Sequence, residues 1–123
     1  MKSLNNYVSA AGLIAACEVL ITAENFGISP KLFIDIFNHS TGKNDATENK
    51  LERFVISQAF NSSFSLNLHA KYVKNAVVFS EHMGLGLPSL TKFSEILTEA
   101  TEYFASEMDH TAIYKFLKNR NDA

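Results

Sequence analysis

The chain has 123 residues, of which 46% are hydrophobic and 20% are charged, so it can form one domain with a sizeable core. Eleven basic residues against 13 acidic residues give a net charge of -2, which leaves no basic excess for binding a nucleic-acid backbone. The single cysteine, Cys17, excludes an internal disulfide framework and indicates a reducing compartment, so we expect a cytoplasmic protein.

The first predicted helix runs from Lys2 to Phe26 and contains no proline. Gly27 follows it, and we expect this glycine to adopt the left-handed conformation of a helix C-cap. Between Tyr7 and Ile21 the segment is apolar almost all round, which is typical of a helix surrounded by other helices.

The same segment allows a lipoprotein signal as an alternative, because residues 14–17 resemble a lipoprotein cleavage box. Against it, Lys2 alone is a weak positive region, and the apolar pattern continues past Cys17 to Gly27. A membrane-spanning helix needs roughly 20 apolar residues, and Glu18 interrupts the run before that length. We therefore expect a core helix and no membrane anchor.

Two shorter helices are predicted next. Ser29 and Pro30 have the residue types of an N-cap and a first helical residue, and Gly42 is predicted to end that helix. Asp45 and Glu48 have the spacing of a capping box for the third helix.

The second half of the chain also has a helical period. A fourth helix is predicted over Leu66 to Met83 and a fifth from Pro88 to about Ala105, and Asp109 is predicted to cap a short last helix. No window alternates apolar and polar residues as a half-buried strand does. The sequence therefore predicts an all-α fold of five to six helices around a long central N-terminal helix.

The histidines and the cysteine offer no site of their own. None of His39, His69, His82 and His110 has another histidine three or four residues away, so we expect surface or helix-end residues and no metal site. Cys17 lies among apolar neighbours and is predicted to be a buried, inert thiol.

A polar stripe lies at the start of the first helix. Lys2, Asn5, Asn6 and Ser9 have the spacing of one helical face. One interpretation is that the first two turns are simply exposed. The other is a site for a small polar substrate, because an amine can exchange a proton and carboxamides can hold a hydroxyl or a carboxylate.

A second polar stripe lies on the fourth predicted helix. Asn67, Lys71 and Asn75 are four residues apart, and Lys74 is beside Lys71 on the helix, three residues later. By itself this pattern indicates an ordinary solvated face.

Several motifs resemble, in order and spacing, the helical C-terminal domain of the 3-hydroxyisobutyrate dehydrogenase (β-hydroxyacid dehydrogenase) family, which is related to 6-phosphogluconate dehydrogenase. Residues 2–6 (KSLNN) are similar to the family's K-x-x-N-N motif, and residues 64–71 (FSLNLHAK) to its F-x-L-x-L-x-x-K-D motif. Residues 86–88 (GLP) and 109–112 (DHTA) follow in the family's order. The resemblance extends over about 120 residues.

The resemblance implies a reaction and a set of site residues. Lys2 would be the catalytic lysine, exchanging a proton with the 3-hydroxyl of a small 3-hydroxy acid while hydride passes between C3 and the nicotinamide of NAD or NADP. Asn6 would bind the substrate, Asn5 would support that site, and Lys71 would reach the cofactor. Asn5 replaces the usual histidine of the 6-phosphogluconate dehydrogenases, which argues against that decarboxylating branch.

Two positions depart from the family pattern. Tyr72 replaces the acid that usually follows the lysine of the K-D pair, which puts the local geometry around Lys71 in question. Ala105 and Ser106 stand where a glycine-rich turn is common. A divergent member with an unassigned substrate is expected.

The resemblance also implies a missing part. In this family the cofactor sits on an N-terminal Rossmann domain with a G-x-G-x-x-G motif, which residues 1–123 lack. We therefore expect a C-terminal fragment that alone is inactive and binds no dinucleotide tightly. We also expect a homodimer, because an apolar helix deprived of a neighbouring domain exposes a patch. The alternative is a non-catalytic helical dimerisation or interaction module.

Overall fold

Six helices and one short turn of 3-10 helix form the chain in the computed structural model, which describes residues 1–122. No strand is present over that range, and a single isolated antiparallel bridge joins Ser65 to Asp109. The all-α prediction is therefore confirmed. The elements are α1 (Lys2–Phe26), α2 (Pro30–Asn38), a π-helix (Ala46–Ile56), α3 (Leu66–His82), α4 (Pro88–Tyr103), the 3-10 turn (His110–Ala112) and α5 (Ile113–Asp122).

Helix α1 is the centre of the bundle. It packs against the other four α-helices and the π-helix. By length and composition alone α1 could cross a membrane, but a core helix passes the same test. The bundle accounts for its composition, because one long face is buried among the neighbouring helices. That face consists of Ala10, Leu13, Ile14, Ala16, Cys17, Leu20, Ile21 and Ala23.

The end of α1 and the start of α2 lie where the glycine and the serine–proline pair predicted them. Gly27 ends α1 in the left-handed conformation, with φ 95°, which glycine adopts without steric cost. Ser29 caps α2 by accepting a hydrogen bond from the backbone N–H of Leu32 at 3.2 Å. The predicted end of α2 at Gly42 is wrong, because the helix stops at Asn38 and the chain then forms turns.

The start of the π-helix differs from the predicted capping box. The side chains of Asp45 and Glu48 make no such cap. Asn44 and Thr47 do so instead: the Asn44 N–H donates to Thr47 Oγ1 and the Thr47 N–H donates to Asn44 Oδ1, each at 3.0 Å. The Asn44 amide also donates to the carbonyl oxygen of Gly12 in α1, at 3.4 Å. Packing against α1 therefore favours the cap one residue earlier than predicted.

The beginning of α3 is tied to the 3-10 turn. The Phe64 carbonyl accepts a hydrogen bond from the His110 N–H at 2.7 Å, beside the bridge between Ser65 and Asp109. The Asp109 carboxylate accepts from the N–H of Thr111 at 3.1 Å, so its predicted role as an N-cap is confirmed. These contacts hold the start of α3 against the 3-10 turn.

Candidate active site

The polar stripe of α1 occupies the exposed end of the central helix. Lys2 and Asn5 are exposed, whereas Asn6 and Ser9 are partly buried. The Asn6 side-chain amide donates to the Lys2 carbonyl oxygen at 2.9 Å, which occupies one of its two N–H groups. The amine and the remaining amide groups therefore lie on one helical face and remain accessible to a small ligand.

An aromatic ring lies under the Lys2 side chain. Lys2 Nζ is 4.7 Å from the centroid of the Tyr72 ring, within the range of a cation–π contact. The Tyr72 ring is nearly parallel to that of Phe64, with an angle of 6° and centroids 6.5 Å apart. Residue 72, which the sequence marked as a departure from the family pattern, is thus in direct contact with the predicted catalytic lysine.

His69 joins α3 to the stripe. Its side chain is 1% exposed, and Nε2 lies 3.2 Å from the carbonyl oxygen of Asn6, to which it donates a hydrogen bond. His110 is also buried, with its ring centroid 5.2 Å from that of His69. The sequence predicted surface or helix-end positions for the histidines; His69 lies in the first turn of α3, but it is buried and not at the surface. His110 begins the 3-10 turn as a helix-end residue, but it too is buried.

The sequence contains a signal for the burial of His69. It shares the inward face of α3 with Leu66, Ala70 and Val73, at helical spacing. For His110 no comparable local signal exists, because its burial comes from the bridge between distant segments.

Both buried histidines are neutral at pH 7. Burial lowers the pKa of His69 to about 4, and the nearby His110 adds to the decrease. Burial likewise lowers the pKa of His110 to about 4, with a further contribution from the Lys50 ammonium. Among the described residues, one nitrogen of each ring has no hydrogen-bond partner, Nδ1 in His69 and Nε2 in His110. Both rings are therefore uncharged at neutral pH, and His69 acts on the stripe through its hydrogen bond to the Asn6 carbonyl oxygen.

A carboxylate network supports the histidine pair. Ser62 Oγ lies 2.9 Å from Asp109 Oδ1 and 3.0 Å from His110 Nδ1. Burial by itself would raise the pKa of Asp109, but hydrogen bonds from Thr111 and Ser62 outweigh that effect and lower it. Asp109 is therefore an ionised structural anchor.

Lys50 extends the stripe, although no sequence pattern indicated it. Its Nζ donates to Ser9 Oγ at 3.2 Å and lies 3.6 Å from Asp45 Oδ2. The side chain is only 17% exposed. A second cation is thus fixed against the stripe from the π-helix, 41 residues away in sequence from Ser9.

The second predicted stripe lines a groove between α3 and α4. The groove has a volume of about 340 Å³ and is lined by Asn67, Ala70, Lys71, Lys74, Asn75, Thr98 and Thr101. No acidic residue is among these lining residues, so their amines, amides and hydroxyls fit an anionic or polyhydroxylated group.

The groove and the start of α1 are neighbours. A cavity of about 390 Å³ at that end is lined by Met1, Ser3, Leu4, Asn75, Ala76 and Phe79, so Asn75 borders both spaces. Lys2 lines neither of these spaces, so the structure does not bring Lys71 and Lys2 together in one pocket.

A larger cavity lies elsewhere. It has a volume of about 720 Å³, lies between α2 and the π-helix, and includes none of the stripe residues. No group of three or more His, Cys, Asp or Glu side chains is placed to hold a metal ion among the residues that the structure describes. The chemistry of the stripes, and not cavity size, therefore identifies the candidate site.

Known proteins match this chain over nearly its whole length. The family profile described as "NAD-binding of NADP-dependent 3-hydroxyisobutyrate dehydrogenase" matches residues 1–117. The chain is 24% identical to 2-(hydroxymethyl)glutarate dehydrogenase of Eubacterium barkeri over 94% of its length. It is also 24% identical to the probable mitochondrial 3-hydroxyisobutyrate dehydrogenase of Arabidopsis thaliana over 98% of its length. The chain is 25% identical to 2-hydroxy-3-oxopropionate reductase of Escherichia coli K12 over 95% of its length.

These matches cover one part of each relative. The chain spans 38%, 37% and 40% of the lengths of those three proteins.

Solved structures show the same fold. The 3-hydroxyisobutyrate dehydrogenase of Mycobacterium tuberculosis, solved with L-serine, superposes with a TM-score of 0.84 at 24% identity, over 95% of this chain and 42% of that one. The corresponding enzyme of Salmonella typhimurium gives 0.85 at 18% identity, over 94% and 40%.

Proposed function

The chain belongs to the 3-hydroxyisobutyrate dehydrogenase family, and on that basis we propose that it is the helical C-terminal domain of an NAD(P)-dependent dehydrogenase that oxidises a small 3-hydroxy acid to its semialdehyde. The observation that carries this proposal is the stripe at the start of α1. There an exposed amine and two carboxamides, from Lys2, Asn5 and Asn6, share one face of a helix that is otherwise built for burial.

Lys2 is the proposed acid/base. In the oxidation direction its amine accepts the proton of the substrate hydroxyl, and in the reduction direction its ammonium returns it. The amide groups of Asn5 and Asn6 donate hydrogen bonds to the substrate carboxylate and orient the hydroxyl toward Lys2 Nζ. The nicotinamide of a bound NAD or NADP supplies the hydride acceptor.

We propose that Lys71 and its neighbours help to bind the cofactor. Lys71 and Lys74 place two cations in the groove between α3 and α4, and Thr98 and Thr101 line its other side. Ammonium and hydroxyl groups there can bind phosphate or ribose oxygens. We further propose that a Rossmann domain with the remaining dinucleotide contacts faces this surface, so that the isolated chain is inactive and binds dinucleotide weakly.

A homodimer in the cytoplasm is also proposed. The single cysteine, which is buried and unpaired, supports a reducing compartment. Apolar side chains at the end of α3 and in the following loop are 43 to 62% exposed, and an exposed cluster of this kind favours self-association. This apolar cluster consists of Val78, Phe79, Met83, Leu85 and Leu87.

The test of the catalytic proposal is turnover by the complete enzyme that contains this domain. We expect NAD(P)-linked oxidation of small 3-hydroxy acids, and we expect Lys2→Ala to lower kcat by about 10²- to 10⁴-fold while cofactor binding survives. Lys31→Ala is the matched control, because Lys31 is an exposed lysine on α2, away from the stripe. Turnover that is indifferent to Lys2 would contradict the proposal.

The apolar cluster favours one alternative, a non-catalytic helical dimerisation or interaction module. Under that alternative no 3-hydroxy acid is turned over, and a charged substitution such as Met83→Glu abolishes the function by dissociating the dimer. Sedimentation equilibrium of the chain and of Met83→Glu across micromolar concentrations measures the association. A mass of one chain for the unsubstituted protein would contradict the homodimer.

A further inference from the structure

Tyr72 supports the proposed catalytic lysine. We infer that Tyr72 is a positioning residue for Lys2, its ring face holding the Lys2 ammonium over the start of α1 where the substrate hydroxyl is to be deprotonated. This inference rests on the proposed role of Lys2, and its geometric half can be tested without catalysis.

The contact with Tyr72 is the one directional restraint on the Lys2 amine among the side chains that the structure describes. Lys2 is exposed on the first turn of α1, and its long side chain has many rotamers in water. Among the side chains of residues 1–120, which the structure describes, the ammonium has no ion-pair or hydrogen-bond partner, whereas Nζ lies 4.7 Å from the Tyr72 centroid. The ring therefore decides which of the available positions the amine prefers.

The ring itself is held firmly. Tyr72 is half-buried and lies parallel to Phe64, with centroids 6.5 Å apart. Phe64 in turn makes edge contacts with His69 and His110, with centroids 5.2 Å away in each case. Since both histidines are buried and hydrogen-bonded to backbone carbonyl groups, the ring stack ends in the core. A firmly held ring is what a positioning role requires.

A neutral ring also suits an acid/base lysine. A carboxylate at position 72 would form an ion pair with the ammonium and take up its N–H donors. The ring face attracts the ammonium without a counter-charge, so the N–H groups directed away from the ring stay available to the substrate. Tyr72 thus fixes the amine in place and leaves the substrate anion without a competitor.

The first experiment tests the contact by NMR of this chain. A methylene group above an aromatic ring is shifted upfield, so we expect the Lys2 ε-methylene protons to resonate upfield of those of the exposed Lys31. We expect the shift to persist in Tyr72→Phe, which keeps the ring, and to disappear in Tyr72→Leu. If the unsubstituted protein shows no upfield shift, or Tyr72→Leu keeps it, the inference is overturned.

The second experiment tests the consequence in the complete enzyme. We expect Tyr72→Leu to lower kcat by about tenfold or more with KM unchanged, since a misplaced catalytic group weakens the transition state more than the ground state. Tyr72→Phe, which keeps the ring, should retain the activity of the unsubstituted enzyme. Tyr103→Leu removes an exposed ring on α4 and should leave kcat unchanged. Equal kcat for Tyr72→Leu and the unsubstituted enzyme, or an equal loss in Tyr72→Phe, would overturn the positioning role.

Two checks keep the outcome unambiguous. If Tyr72→Leu does not fold by circular dichroism, Tyr72→Met is used, because its flexible side chain can still cover Phe64 without a ring. If Lys2→Ala leaves activity intact while the ring-dependent shift is observed, the proposed function fails and the contact stands. If Lys2→Ala is inactive while the shift is absent, the proposed function stands and the inference about Tyr72 fails.

Discussion

His69 Nε2 donates a hydrogen bond to the backbone carbonyl oxygen of Asn6 over 3.2 Å, which joins the start of α3 to the second turn of α1. Asn6 lies one helical turn after Lys2, so this bond fixes the end of the central helix that carries the polar stripe. The contact between Lys2 and Tyr72 joins the same two helices, α1 and α3.

The stability of the domain should depend on His69. We expect His69→Ala to lower the free energy of unfolding by about 2–4 kcal/mol, because it removes a buried hydrogen bond and leaves a cavity. His82→Ala is the matched control on the same helix, where the exposed side chain should change stability by less than about 0.5 kcal/mol. Urea denaturation measures both values, and similar losses for the two variants would contradict the prediction.

Stability should also fall in mildly acidic solution. His69 and His110 have a pKa of about 4 in the folded chain against an ordinary value of 6.5. Between these two pH values the unfolded chain binds more protons than the folded chain. The free energy of unfolding therefore has its full value above pH 6.5 and decreases as the pH falls to 4. The total loss over this range is on the order of 3 kcal/mol or more.

Urea denaturation between pH 7 and about pH 4 measures this dependence. His69→Gln, which does not titrate in this range, should retain only part of the slope. Asp109 adds to the loss only as the pH falls through its ordinary value of 3.8, since its pKa in the folded chain is lowered. A free energy of unfolding that is constant over the range would show that the histidines are not buried as described.

Cys17 should not react in the folded protein. Its side chain is 0% exposed, and burial raises the pKa of its thiol, so almost no thiolate forms at neutral pH. We expect no reaction with a disulfide reagent such as DTNB in native buffer and one equivalent of reaction in concentrated guanidinium. Ser106→Cys, at an exposed position, is the positive control and should react at once.

The cap of the π-helix can be assigned by substitution. Thr47→Ala removes the hydroxyl that accepts from the Asn44 N–H and should cost about 1 kcal/mol or more of unfolding free energy. Glu48→Ala, the residue of the capping box predicted from sequence, should cost less than about 0.5 kcal/mol. Thermal or urea unfolding of the two variants distinguishes the caps, and the opposite ranking would favour Asp45 and Glu48.

The positions of most helices and the residue types of the candidate site could be predicted from the sequence. Gly27, Ser29 and Pro30 act within one turn of their own helix, so their effects are local and could be predicted. The stripe of Lys2, Asn5 and Asn6 followed from helical periodicity and from the resemblance to a known family.

The surroundings of that stripe depend on contacts between distant segments and could not be predicted. Lys50 reaches Ser9 across 41 residues of sequence, and His69 reaches Asn6 across 63. Tyr72 contacts Lys2 through the packing of α3 on α1. Periodicity assigns a residue to a face of its own helix, but only the packing of helices determines which residues of two distant segments meet and which polar groups lose their contact with water.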